Sequence, residues 1–132
     1  MYKFYNANPC NKRVGDCVIR AIATALNKLW EDVYIELSLF GYSMCDLPSS
    51  NAVWHKFLKE QGFTRNVIPD TCPDCYTINQ FCEEHPKGTY ILGTGTHTVC
   101  VIDGVLLDTW DSSQEIPIYF WNRKEDLKNG KL

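Results

Sequence analysis

The sequence predicts an α+β fold, with helices first and a sheet second. Apolar residues recur at helical spacing from Cys17 to Gly62. After Gly88 the period changes to that of strands. Asp103-Gly104 stands between two apolar runs as a two-residue hairpin signal.

The elements follow in order. Residues 1–15 read as an extended arm and loop, punctuated by Pro9 and Gly15. Asp16 is placed to cap a helix from Cys17 to about Asn27. Val18, Ile19, Ala21, Ile22, Ala23, Ala25 and Leu26 make this helix apolar around most of its circumference. Arg20, Thr24, Asn27 and Lys28 fall in one narrow polar stripe. A second helix runs from Trp30 to about Leu39, with Trp30, Val33, Tyr34 and Leu37 facing inward and Gly41 as its stop. Residues 42–50 are a loop. A third helix runs from Asn51 to Gly62 on Val53, Trp54, Phe57 and Leu58. Residues 64–76 are a connection. Thr77 and Gln80 form a capping box for a short helix that Pro86 ends.

Strands are expected over Thr89–Leu92, Thr96–Ile102, Val105–Trp110 and Ile116–Trp121, with a polar tail over the last ten residues. If Asp103 and Gly104 form the turn, Ile102 faces Val105 and His97 lies opposite Trp110. Asp108 then points to the same side as His97, on a diagonal.

The length of 132 residues suits one domain over 1–132. An apolar fraction of 45% with 22% charged residues is ordinary for a globular chain. A net charge of -3 and the lack of a Lys/Arg cluster argue against nucleic-acid binding. No apolar run reaches the roughly 18 residues of a membrane span, and no signal-peptide core follows Met1. Seven cysteines, an odd number, read as reduced thiols in a cytoplasmic protein.

Cys17 opens the central helix, where unpaired N–H groups and the helix dipole favour a thiolate. It lies on the polar stripe with Thr24 and Lys28, which sets it apart from a buried structural cysteine. The adjacent charge of Asp16 would oppose the thiolate if it pointed at the sulfur. A cysteine nucleophile needs a base. His55 sits mid-helix as a surface or boundary residue, and His85 is explained as a helix cap. His97 opens a strand after the flexible Gly93-Thr94-Gly95-Thr96, a good seat for a base. Asp108 is the expected orienter of His97 and Asp111 the fallback, with Trp110 placed to cover the imidazole. The oxyanion donors are the Cys17 N–H and a nearby upstream amide, either Asn11 or Asn8.

Gly15-Asp16-Cys17-Val18-Ile19-Arg20-Ala21 and Thr96-His97-Thr98-Val99-Cys100-Val101-Ile102-Asp103-Gly104 resemble small uncharacterised papain-like proteins of bacterial and phage genomes. The resemblance covers most of the chain in element order, with two short specific motifs. It implies a papain-like fold, with N-terminal helices, the nucleophile at the start of the central one, packed on a C-terminal antiparallel sheet. The oxyanion glutamine of papain-like peptidases, six residues before the cysteine, maps onto Asn11. Their third residue maps onto Asp108 or Asp111. The activity implied is that of a cysteine peptidase or amidase, acting without a cofactor on a protein or peptide substrate. Specificity and oligomeric state are not encoded in these motifs.

A second cluster is Cys72-Pro73-Asp74-Cys75 followed by Cys82 and His85. Four such ligands suit structural zinc, and the Cys-x-x-Cys pair alone suits a reversible disulfide; plain structural cysteines are the simpler reading. Cys100 is expected to pack, and Cys10 and Cys45 lie in loops. The rival to an enzyme is a catalytically idle papain-like binding module, such as a phage-encoded inhibitor of a host protein. Trp54, Trp110, Tyr119 and Trp121 would then be exposed interface anchors.

Overall fold

The computed structural model describes residues 1–123. Along the chain run β1 (Tyr2–Phe4), α1 (Cys17–Leu26), α2 (Trp30–Ser43), α3 (Asn51–Glu60), β2 (Phe63–Val67) and α4 (Ile78–Glu84). Then come β3 (Thr89–Gly93), β4 (Thr98–Ile102), β5 (Val105–Asp108) and β6 (Tyr119–Arg123). The polar tail expected at the C-terminus lies outside the described residues from position 124 onward, while Arg123 ends β6.

The six strands form one mixed sheet in the order β1-β5-β4-β3-β6-β2. The fold is α+β, as the periodicity predicts, but the sheet is neither wholly C-terminal nor wholly antiparallel. β1 joins its edge in parallel to β5, and β2 joins the other edge antiparallel to β6. Both lie in stretches that read as loop or connection. β1 is only three residues long, and β2 is a largely exposed Phe-Thr-Arg-Asn-Val edge strand without clean alternation.

The hairpin register is the one the turn dictates: Ile102 faces Val105 and Cys100 faces Leu107. Asp103 and Gly104 both take positive φ, 50° and 76°, as a tight primed turn requires. The Thr77–Gln80 capping box closes reciprocally. α2 runs past Gly41, which does not stop it. The loop carbonyl of Asp46 would lie 2.7 Å from a Cβ at that position, so Gly41 permits a close approach instead.

Alternating strand residues feed two cores, one on each face of the sheet. Ile91, Cys100, Tyr119 and Trp121 pack under α1, α2 and α3, against Ile22, Leu37, Trp54 and Phe57. Tyr90, Leu92, Val99, Val101 and Leu106 pack against Ile78, Phe81 and Cys82 of α4. Trp54, Tyr119 and Trp121 are therefore core residues, not surface anchors; only Trp110 of those four aromatics is exposed. The near-continuous apolar surface of α1 is explained by its place between the sheet and α2. Among the described residues, no helix is long and apolar enough to cross a membrane.

Candidate active site

The first residue of α1, Cys17, meets the loop leading into β4. Asp16 occupies the N-cap position but makes no side-chain cap bond, so it leaves the first-turn N–H groups uncovered. Its carboxylate is buried and turned to other work. It accepts from Asn8 Nδ2 at 3.2 Å, Trp30 Nε1 at 3.0 Å and Arg20 Nε at 2.8 Å. The charge that threatened the Cys17 thiolate is thus matched by Arg20.

His97 precedes β4 by one residue, in the turn where Thr94 and His97 exchange hydrogen bonds. Its Nε2 lies 2.7 Å from Asp108 Oδ2, which leaves Nδ1 for Cys17. Trp110 stacks on the imidazole, with ring centroids 5.1 Å apart.

Asp108 is buried and heavily bonded. Oδ2 also accepts from Ser112 Oγ at 2.6 Å. Oδ1 accepts from the Thr109 N–H at 2.7 Å and from Arg20 Nη1 at 3.2 Å. Asp111, in contrast, is exposed and accepts the Ser113 N–H at 3.1 Å in a local turn. The diagonal relation of His97 and Asp108 is realised, and Asp111 plays no part in holding the ring.

The electrostatics follow from these neighbours. Burial pushes the Cys17 thiol up. That push is outweighed by the His97 hydrogen bond, the Thr98 backbone N–H and the charges of His97 and Arg20, so the net direction is down. Burial opposes a charged His97, yet its bonds to Asp108 and Cys17 and their negative charges raise it to about 9. Asp108 is held below the usual carboxylate range by His97, Ser112 and the Thr109 N–H, against the upward push of burial. A thiol shifted down beside an imidazole shifted up makes proton transfer from Cys17 to His97 easier than between the free groups.

Neither upstream amide is fixed beside the sulfur by a hydrogen bond. Asn8 is buried, and its side chain is committed to Asp16 and to the Cys10 N–H. Asn11 is exposed in a left-handed turn with φ 53°. Among the described residues its side chain makes no hydrogen bond, so its amide is available but not preset.

Arg20 is the functional candidate that sequence reasoning passed over. Read as one member of a polar stripe, it instead bridges the carboxylates of Asp16 and Asp108. The available signal was its spacing from Asp16, one helical turn away on the stripe that carries Cys17.

The second cysteine cluster does not assemble. Cys72 and Cys75 are exposed with their sulfurs 3.6 Å apart. Cys82 is buried in the core beneath α4, and the His85 ring stacks on Phe81 and bonds its carbonyl at 2.8 Å. Among the described residues, no three metal-ligating side chains converge. Cys72 is pushed up to about 11 by the Asp70 carboxylate and the Cys75 thiol.

Comparison with protein-family models, curated proteins and solved structures gives no match to this chain. The site is therefore interpreted from its own chemistry.

Proposed function

We propose that this chain is a cysteine hydrolase of papain-like organisation, acting on an amide or peptide bond through Cys17, His97 and Asp108. The observation that carries the reading is the continuous contact from thiol to imidazole to buried carboxylate, with Cys17 lowered and His97 raised. Structural cysteines are ordinarily pushed the other way, as Cys82 and Cys100 are in this chain.

The thiolate attacks the carbonyl carbon, forming a C–S bond and a tetrahedral oxyanion. The Cys17 N–H at the helix start faces that oxyanion, and the Asn11 amide is the second donor of this reading. Collapse breaks the C–N bond as His97 protonates the leaving amine. Water, deprotonated by His97, then hydrolyses the thioester. Asp108 fixes the ring and stabilises its charge. No cofactor enters this scheme. The odd count of seven cysteines fits thiols kept reduced, and a cytoplasmic setting is part of this reading.

The test is acyl-enzyme trapping. A peptide thioester or activated ester is expected to add its acyl mass to Cys17 alone, and hydroxylamine to remove it. Acylation spread over the exposed cysteines, with Cys17 unmodified, contradicts the reading.

One observation favours a second reading, a binding module. Ile35, Leu39 and Tyr42 form an outward apolar stripe on α2. Under that reading Cys17→Ala leaves biological activity intact; under the hydrolase reading it abolishes activity with the fold retained.

A further inference from the structure

Gly93 sits inside the sheet, paired with Thr98 of β4 on one side and Tyr119 of β6 on the other. Its φ is not positive, so its backbone does not demand glycine. Space does. A Cβ at Gly93 would lie 2.3 Å from Tyr119 Cζ and 2.4 Å from Tyr119 Oη. The tyrosine ring therefore crosses β3, and its hydroxyl fills the place of the missing side chain.

That position is informative because directly paired residues on adjacent strands point to the same face, with Cβ atoms roughly 5 Å apart. The hydroxyl thus stands about one strand spacing from the Thr98 side chain, on the face that α1 covers. Thr98 is the residue whose backbone N–H favours the Cys17 thiolate. The hydroxyl is also held on its far side. His55 Nε2 lies 3.2 Å from Tyr119 Oη, and the Arg65 guanidinium stacks 4.4 Å from the ring centroid.

We propose that Tyr119 is an oxyanion donor for the Cys17 reaction, its hydroxyl presented from the sheet side across Gly93. This rests on the reading of Cys17 as the nucleophile. Burial and the charges of Arg65 and Lys59 push His55 down to about 4, so its ring is neutral at neutral pH. In the tautomer that carries Nε2–H, His55 donates to the tyrosine oxygen and leaves the phenolic proton free to turn to an oxyanion. Burial raises Tyr119 above its ordinary value, so the proton is retained through neutral pH. The chain gives up a strand side chain at Gly93, and the tyrosine hydroxyl that takes its place is held by two side chains, His55 and Arg65.

Two reagents that meet the same sulfur by different chemistry test this. With 4-nitrophenyl acetate, Cys17 sulfur bonds to the carbonyl carbon through a tetrahedral oxyanion. The C–O bond then breaks, and its electron pair leaves with 4-nitrophenolate. Iodoacetamide is attacked at saturated carbon, iodide leaves, and no oxyanion forms. In Tyr119→Phe, acylation of Cys17 is expected to slow by roughly a hundredfold to a thousandfold, the scale of a lost oxyanion donor. Alkylation by iodoacetamide is expected to stay within about twofold of wild type. Unchanged acylation overturns the proposal, as does an equal fall in both rates, which marks a disturbed thiolate instead. Wild-type protein in which Cys17 does not acylate at all overturns the nucleophile reading, and this inference with it.

Discussion

Arg20 Nη1 donates to Asp108 Oδ1 at 3.2 Å, so the helix that begins with the proposed nucleophile is tied to the carboxylate that holds its base. The same guanidinium donates from Nε to Asp16 at 2.8 Å, one turn back on α1. One side chain, 12% exposed, thereby matches two buried carboxylates. Arg20→Met is expected to destabilise the fold by roughly 3–5 kcal/mol, the range for breaking a buried ion pair from one side. Urea denaturation measures this. Arg20→Lys should restore only part of the loss, because an ammonium lacks the planar fork that spans both acids.

Asp108→Asn tests the orienter. The carboxylate raises His97, so its neutral replacement is expected to return the imidazole toward its ordinary 6.5. The Cys17 thiolate then loses its counter-ion at neutral pH. Hydrolytic turnover is expected to fall by orders of magnitude, as when the acid of a catalytic triad is neutralised. Asp111→Asn, whose carboxylate serves only a local turn, is expected to change neither quantity. Titration of His97 by NMR in both variants separates the two carboxylates.

The pair also makes stability depend on pH. His97 is raised from 6.5 to about 9 in the folded chain. Its contribution is therefore fully present below about pH 6.5 and lost as pH rises through about 9. Asp108 is depressed, so its contribution is present above its ordinary 3.8 and lost as pH falls further. Melting temperature should decline on the alkaline side, and His97→Gln should flatten that limb. Equal alkaline slopes in the two proteins would contradict the pairing.

The Cys72/Cys75 knuckle gives a separate expectation. With Cys82 in the core and the His85 ring engaged with Phe81, the cluster offers two sulfurs rather than four ligands. Added zinc is expected to leave the melting temperature unchanged, and elemental analysis to find no stoichiometric metal. A rise of several degrees that is lost in Cys75→Ser would show that the loop can close on an ion.

Much of the site was legible because local rules governed it. The Asp103-Gly104 turn fixed the register of β4 and β5, and register alone put Asp108 diagonal to His97. Cys17 was legible from helix phase and the helix start. Long-range contacts were not. β1 finds its partner in β5 about a hundred residues away, and β2 pairs with β6 without an apolar alternation to announce it. Tyr119 and Trp121 looked like exposed anchors because the sheet edge beyond them, and the helices over them, were not visible in local pattern. Asp16 had the sequence of a helix cap, yet Arg20, Asn8 and Trp30 compete for its oxygens and win.

The most direct test of the central claim is site-resolved alkylation of all seven cysteines across pH, in wild type and His97→Ala, read by mass spectrometry. The account predicts that Cys17 outpaces the other thiols near pH 6 and loses that lead without His97. If Cys17 reacts no faster than an ordinary thiol of pKa about 8.5, or keeps its lead in His97→Ala, no thiolate–imidazolium pair exists and the catalytic reading is wrong.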